Sequence, residues 1–168
     1  MTVLQSSRLL LRVPSEEDAD FMLEMFSDPI VNRFLLSSRP YTREIILEGI
    51  ARSQACHAAN NFSRWILQLK SNEELVGHAG LQIKEIESVP ELELGYILKP
   101  SAWGNGYAFE AASAALGYAF GKLGRDRVVA ITHPENRASI RVAESIGMAN
   151  ERKILWEGKA AYLFSAKA

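Results

Sequence analysis

Cysteine is nearly missing from this chain: Cys56 is the only one in 168 residues. No intramolecular disulfide can form, which suits a reducing compartment. Cys56 lies in a helical pattern with only His57 beside it, so it reads as a small helix residue and not as a nucleophile. Histidine is scarce as well. His57, His78 and His133 show no ligand spacing with one another, and no metal is expected. Charge of one sign is also lacking, since 19 Lys and Arg stand against 20 Asp and Glu, a formal net charge of −1. That removes the general electrostatic case for nucleic acid or an anionic membrane, so an anionic ligand would need a local binding device. No apolar run approaches the roughly 18 residues that span a bilayer. The start, Met-Thr-Val-Leu-Gln-Ser-Ser-Arg, has no basic segment followed by an apolar one, so no signal peptide is expected and the reading is cytoplasmic.

What is present is enough for one core. Hydrophobic residues make up 48% of the chain, and the length suits a single domain over residues 1–168. Residues 8–13 form a short apolar run closed by Pro14, a first strand. Ser15 and Asp18 match a capping box. Phe21, Met22, Met25 and Phe26 follow at helical spacing until Asp28-Pro29 stops the helix. A second helix is expected over 42–60, with Ile45, Ile46, Ile50 and Ala51 on one face. Strands at 62–69, 75–86 and 91–98 have connections too short for crossover helices and should pair antiparallel. Beyond them come a helix over 107–123, a strand at 127–132 and a helix over 137–146 ending at Gly147. Two last strands, 150–157 and 160–166, turn at Gly158-Lys159. This order describes one mixed α/β or α+β domain without repeats or a linker.

The informative stretch runs from Glu93 to Glu110, where a strand feeds a glycine-containing loop that opens directly into a helix. A helix start offers unpaired N–H groups and the positive end of the macrodipole. Gly104 and Gly106 let the backbone turn those groups onto one anion, and Ala108 keeps the approach open. The result is a diphosphate site that needs no lysine. A Walker A loop is excluded, because no Gly-Lys-Ser/Thr follows. A dinucleotide fingerprint would need a small residue at Phe109, and Asp126 precedes the next strand instead of ending it. A plain helix cap with close packing is the remaining alternative.

Three separated motifs carry a resemblance: Glu-Leu-Glu-Leu-Gly-Tyr-Ile-Leu-Lys-Pro (91–100), Trp-Gly-Asn-Gly-Tyr-Ala-Phe-Glu-Ala (103–111) and Pro-Glu-Asn-Arg-Ala-Ser-Ile-Arg-Val-Ala-Glu-Ser-Ile-Gly-Met (134–148). Together they resemble the GCN5-related N-acetyltransferase (GNAT) superfamily, and within it the ribosomal-protein alanine N-acetyltransferase branch. Ser-Ser-Arg-Leu-Leu-Leu-Arg (6–12) and Asp28-Pro29 resemble that branch too. The resemblance implies an α+β fold with a central, mostly antiparallel sheet of about seven strands and about four helices, its fourth and fifth strands splayed. Acetyl-coenzyme A would be the co-substrate, its pantetheine arm lying in the wedge between them. Backbone groups around Ile97 and Leu98 would bond the arm. The loop of Trp103, Gly104, Asn105, Gly106, Tyr107, Ala108 and Phe109 would hold the pyrophosphate, and Asn136 would bond the pantetheine through its side-chain amide. Trp103 stands where the superfamily usually has Gln or Arg.

Acetyl transfer needs a neutral amine, a stabilised oxyanion and a protonated leaving thiolate. An α-amine with a pKa of about 8 costs roughly 1 kcal/mol to deprotonate at neutral pH, and a lysine-like amine roughly 5. Positioning should therefore supply most of the rate. The resemblance makes Glu93 the expected base, directly or through water. Glu91 shares its strand face and is the alternative, and either could instead be a solvated carboxylate. Many members of the superfamily use a tyrosine acid in the helix after the fifth strand, where this chain has Ala143. The related branch offers Ser139 instead, which could equally be a helix-end hydrogen bonder. Trp65 and Trp156 read as core residues. Phe34-Leu35-Leu36 falls where the family builds its acceptor wall. The acceptor is expected to be a protein N-terminal α-amine. The alternatives are a small amine (a polyamine, an amino acid derivative or an aminoglycoside) and a non-catalytic acyl-coenzyme A binding module. A homodimer is compatible with the family.

Overall fold

The computed structural model describes residues 1–37 and 40–168. Its N-terminal hairpin pairs β1 (Thr2–Gln5) with β2 (Leu9–Arg12). β1 is one strand more than the sequence pattern suggests, because four residues are too few to display an alternation. The capping segment follows as a single 3-10 turn, Glu16–Asp18, in which the Asp18 carboxylate accepts the Ser15 backbone N–H at 2.7 Å. Arg12 donates to both Asp18 oxygens at 2.6 and 2.8 Å, tying β2 to the start of α1 (Ala19–Ser27). Burial pushes the Asp18 carboxyl up, but the hydrogen bonds from Arg12 and Ser15 outweigh it and hold the group below its ordinary value.

Asp28-Pro29 does stop α1 after Ser27, and it also opens a further helix. The Asp28 carboxylate accepts the Ile30 N–H at 2.8 Å, and Pro29 occupies the first position of α2 (Pro29–Asn32). Then comes α3 (Arg43–Asn60), capped by Thr42. It buries Ile46 and Ile50 against α1, whereas Ala51 is exposed, so the inner face is narrower than expected.

The rest of the chain gives β3 (Arg64–Leu69), β4 (Leu75–Ile86), β5 (Val89–Leu98), α4 (Tyr107–Gly121), β6 (Arg127–Thr132), α5 (Arg137–Ser145), β7 (Ala149–Trp156) and β8 (Lys159–Lys167). The eight strands lie in the order β1-β2-β3-β4-β5-β6-β8-β7, antiparallel throughout except β5 with β6. One face packs Leu9, Leu11, Trp65, Leu67, Leu81 and Leu94 against α4. That helix presents Ala111, Ala112, Ala115 and Ala119, all fully buried, so its backbone lies close on the sheet. The opposite face meets α1 and α3 through Ile66, Met22, Met25 and Phe26. Among the described residues no helix is long and apolar enough to cross a membrane.

The break that positions the site lies between β5 and β6. Their registered pairing is confined to Glu93 opposite Val129. That end is tied by Arg127, which bonds Glu91 on β5 at 3.1 Å and Glu151 on β7 at 2.6 Å. Beyond it the strands part into a wedge, with Leu98 ending one edge and Thr132 the other.

Candidate active site

A cavity of about 660 Å³ fills the wedge and continues under α1 and α2. Glu93, Ile97, Leu98, Trp103, Ala108, Asn136 and Ser139 line it together with Tyr96, whereas Gly104, Asn105, Gly106, Tyr107 and Phe109 lie outside its lining. Phe34, Leu35 and Leu36 line it as well, from the predicted acceptor side.

The loop before α4 is built as an anion cradle. Gly104 and Gly106 have φ of +78° and +79°, a left-handed backbone that favours glycine. Among the described residues, the N–H groups from Gly104 through Phe109 have no protein acceptor; the first bond of the helix runs from Glu110 N–H to Gly106 C=O at 3.1 Å. Six consecutive donors are thus left at the positive end of a fifteen-residue helix. The Asn105 side chain, by contrast, folds back to donate to the Ala102 and Trp103 carbonyls at 3.1 Å, which shapes the loop. The N-terminal Ser-Ser-Arg run is part of this device. Arg8 donates to Glu110 at 2.7 Å through Nε and to the Asn105 carbonyl at 2.9 Å, while the Ser6 hydroxyl donates to Glu110 at 2.7 Å. Burial pushes the Glu110 carboxyl up, and these bonds more than offset it.

The wedge edge of β5 follows from its register. Lys99 N–H donates to Val76 C=O, and the β4–β5 ladder runs without a shift from Leu98 to Val89. Alternation then commits the backbone groups of Ile97 and Gly95 to β4 and turns those of Tyr96 and Leu98 toward the wedge. Of the two residues expected to bond a pantetheine arm, Leu98 thus faces it and Ile97 does not. The Leu98 carbonyl already accepts the Trp103 indole N–H at 2.9 Å. Asn136 caps α5, its side-chain oxygen accepting the Ser139 N–H at 3.1 Å; its amide N–H₂ makes no hydrogen bond to the described residues.

Glu93 is 3% exposed, yet it borders the cavity. Its Oε2 is held by the Arg64 guanidinium, and Lys84 Nζ stands 3.6 Å from the same oxygen. Oε1 has no hydrogen-bond partner among the described residues. Arg64 reaches Glu93 by lying flat over Gly95, where an added Cβ would come within 1.8 Å of the guanidinium. Lys84 also lies 5.0 Å above the Trp156 ring; burial pushes its ammonium below the ordinary range, partly countered by Glu93. Glu91, the alternative base, lies at the closed end of the wedge on Arg127 and does not line the cavity.

Ser139 and Tyr96 share a hydroxyl pair. The Tyr96 OH donates to the Ser139 carbonyl at 2.7 Å, and the Ser139 hydroxyl lies 3.3 Å from the Tyr96 oxygen. Burial pushes the phenol up to about 12, despite the hydrogen bond from Ser139, so it stays protonated. Ala143 is fully buried. A tyrosine hydroxyl therefore does reach α5, but from β5 and not from the helix itself.

Sequence reasoning missed Arg64, Lys84, His78 and Tyr96 at this cavity. The available signal was polarity on strand faces that had to be covered: Arg64 inside an apolar strand, and His78, Gln82 and Lys84 alternating along β4. The His78 imidazole is pushed down to about 3 by burial and then by Arg64, and its buried Nε2 has no partner among the described residues. Trp65 is core as expected, whereas Trp156 lines the cavity.

Comparison with known proteins fits this geometry. The acetyltransferase (GNAT) domain family matches residues 8–149. The uncharacterized protein YkkB of Bacillus subtilis is 34% identical over 99% of this chain and 96% of its own. The crystal structure of the GNAT-family acetyltransferase from Bacillus anthracis superposes with a TM-score of 0.82 at 26% identity, covering 99% of this chain and 98% of that one. The ribosomal L7/L12 α-N-protein acetyltransferase RimL in complex with coenzyme A shares the fold at a TM-score of 0.81 and 16% identity, covering 99% and 98%. The family match over residues 8–149 settles the assignment: the chain belongs to the GNAT family and is an N-acetyltransferase.

Proposed function

We propose that the chain moves the acetyl group of acetyl-coenzyme A onto an α-amine bound in the cavity under α1 and α2, with Glu93 as the base. The observation that carries this reading is the state of Glu93: one carboxylate oxygen is pinned by two cations, while the other, at the cavity wall, has no partner among the described residues. Arg64 and Lys84 favour the neutral form of a nearby amine, which suits an α-amine already close to neutrality. Polycationic acceptors such as polyamines are disfavoured by the same two charges. A protein N-terminus is the first candidate, in keeping with the acceptor named for RimL; an amino acid derivative is the second, favoured by the apolar wall of Phe26, Phe34 and Tyr41.

The bound co-substrate would supply the activated acetyl thioester. Its diphosphate fits the six free N–H groups before α4, and its pantetheine arm fits the wedge-facing groups of Tyr96 and Leu98, the Trp103 indole turning off the Leu98 carbonyl. The Asn136 amide N–H₂ adds a donor. In the reaction the amine nitrogen forms a bond to the acetyl carbon and the carbon–sulfur bond breaks. Glu93 Oε1 takes the amine proton, directly or through water. The Ser139 and Tyr96 hydroxyls hydrogen-bond the departing sulfur, which leaves as the thiolate and takes its proton from solvent as Glu93 gives the amine proton up to solvent. With a phenol at about 12, hydrogen bonding serves the leaving group better than full proton transfer from Tyr96.

Glu93→Gln tests the assignment. The expected result is a fall in kcat of about 100-fold or more, with coenzyme affinity by calorimetry unchanged. Undiminished turnover would remove Glu93 as the base.

A further inference from the structure

We propose that the acceptor carries a carboxylate near its amine, and that Arg64, assisted by Lys84, holds it at the cavity floor; this rests on the acetyl-transfer reading above. The charge count motivates it. Two cations, Arg64 and Lys84, share the single carboxylate of Glu93, and the side chains are 15, 24 and 4% exposed. Asp18 is committed to Arg12, and Glu157 acts on Lys84 from an exposed place at the rim, so the remaining positive charge is offset only in part. An uncompensated charge this far from water is costly unless a ligand answers it.

The unused donors have the matching geometry. A guanidinium has five N–H donors in a planar fork, and among the described residues Arg64 spends only its Nη2 on a protein partner, Glu93. Gly95 leaves the fork lying open on the strand, where any side chain would displace it. Diagonally across the β3–β4 pairing, His78 lines the same cavity, its enclosed Nε2 having no hydrogen-bond partner among the described residues. A guanidinium fork on the cavity floor is suited to a planar anion with two oxygens. Either a free amino acid or an acidic residue opening a peptide supplies this chemistry, and a polyamine supplies none of it.

Matched acceptor pairs decide the question in a thiol-release assay with acetyl-coenzyme A. The pairs are phenylalanine against phenylalaninamide, leucine against leucinamide, and peptides beginning with Glu against the same peptides beginning with Gln. The carboxylate member of at least one pair is expected to have a kcat/KM about ten- to a hundredfold higher. If only the free amino acids show the preference, the acceptor is small; if only the Glu peptides do, it is a protein end. Arg64→Gln should bring the ratio to about one while coenzyme affinity is kept. Equal rates within every pair, or a preference that survives Arg64→Gln, would overturn the proposal and leave acetyl transfer standing. Should no amine turn over, calorimetry with coenzyme A present compares N-acetylphenylalanine with its amide. Tighter binding of the carboxylate, lost in Arg64→Gln, supports the proposal, and equal binding overturns it.

Discussion

At the scale of single residues, the site depends on a missing side chain. Gly95 gives Arg64 the room to cross the strand and reach Glu93, and the atoms that a Cβ would meet are the mobile end of an arginine. Gly95→Ala should therefore fold normally, shifting the melting temperature by only a few degrees, while kcat/KM falls about tenfold or more as Arg64 is displaced. A large loss of stability with the kinetics intact would show that Gly95 serves packing instead. Glu93 and Ser139 were legible in the sequence because the family motifs run through them. Arg64 and Tyr96 were not, since their partners lie 29 and 43 residues away and no local pattern records such a meeting.

At the scale of elements, α4 does two things with one sequence. Its first turn offers free N–H groups, and its alanine face allows the close approach that holds those groups at the wedge. Ala115 is fully buried, so Ala115→Leu should overpack the interface and cost about 1–3 kcal/mol in denaturant unfolding. It should also weaken coenzyme binding, because the helix start moves with the helix. Unchanged stability would mean that α4 has slack against the sheet. The loop and this helix were readable in advance because glycine placement and alanine spacing are local. The support from Ser6 and Arg8 was not, nor was β1, whose pairing depends on the β2 strand that it helps to hold. The direction of the Ile97 backbone was hidden too: a strand's outward edge is set by hydrogen-bond alternation with its neighbour, not by its own residues.

For the molecule as a whole, the wedge divides the sheet, and Arg127 ties the two halves at its closed end. Its guanidinium is pushed above its ordinary value by the bond to Glu151 and, against burial, by Glu91. The Arg127 hydrogen bond, then that from Ser165, hold the Glu151 carboxyl at about 2, against an ordinary 4.5. A carboxyl depressed in the fold contributes stability above its unfolded value and loses it as pH falls toward the folded one. Between about pH 4.5 and 2 the native protein should therefore lose stability, and Glu151→Gln should flatten that part of the profile in thermal melts followed by circular dichroism. An unchanged slope in the variant would assign the acid sensitivity to other groups, Asp18 first. The central claim is acetyl transfer to an amine in the wedge cavity, and its most direct measurement is product stoichiometry. Free thiol would be counted against acetylated α-amine by mass spectrometry over the acceptor panel. The account predicts one acetylated α-amine for each thiol released, both reduced together in Glu93→Gln. Tight coenzyme binding with no acetylated amine, or thiol release without one, would contradict it.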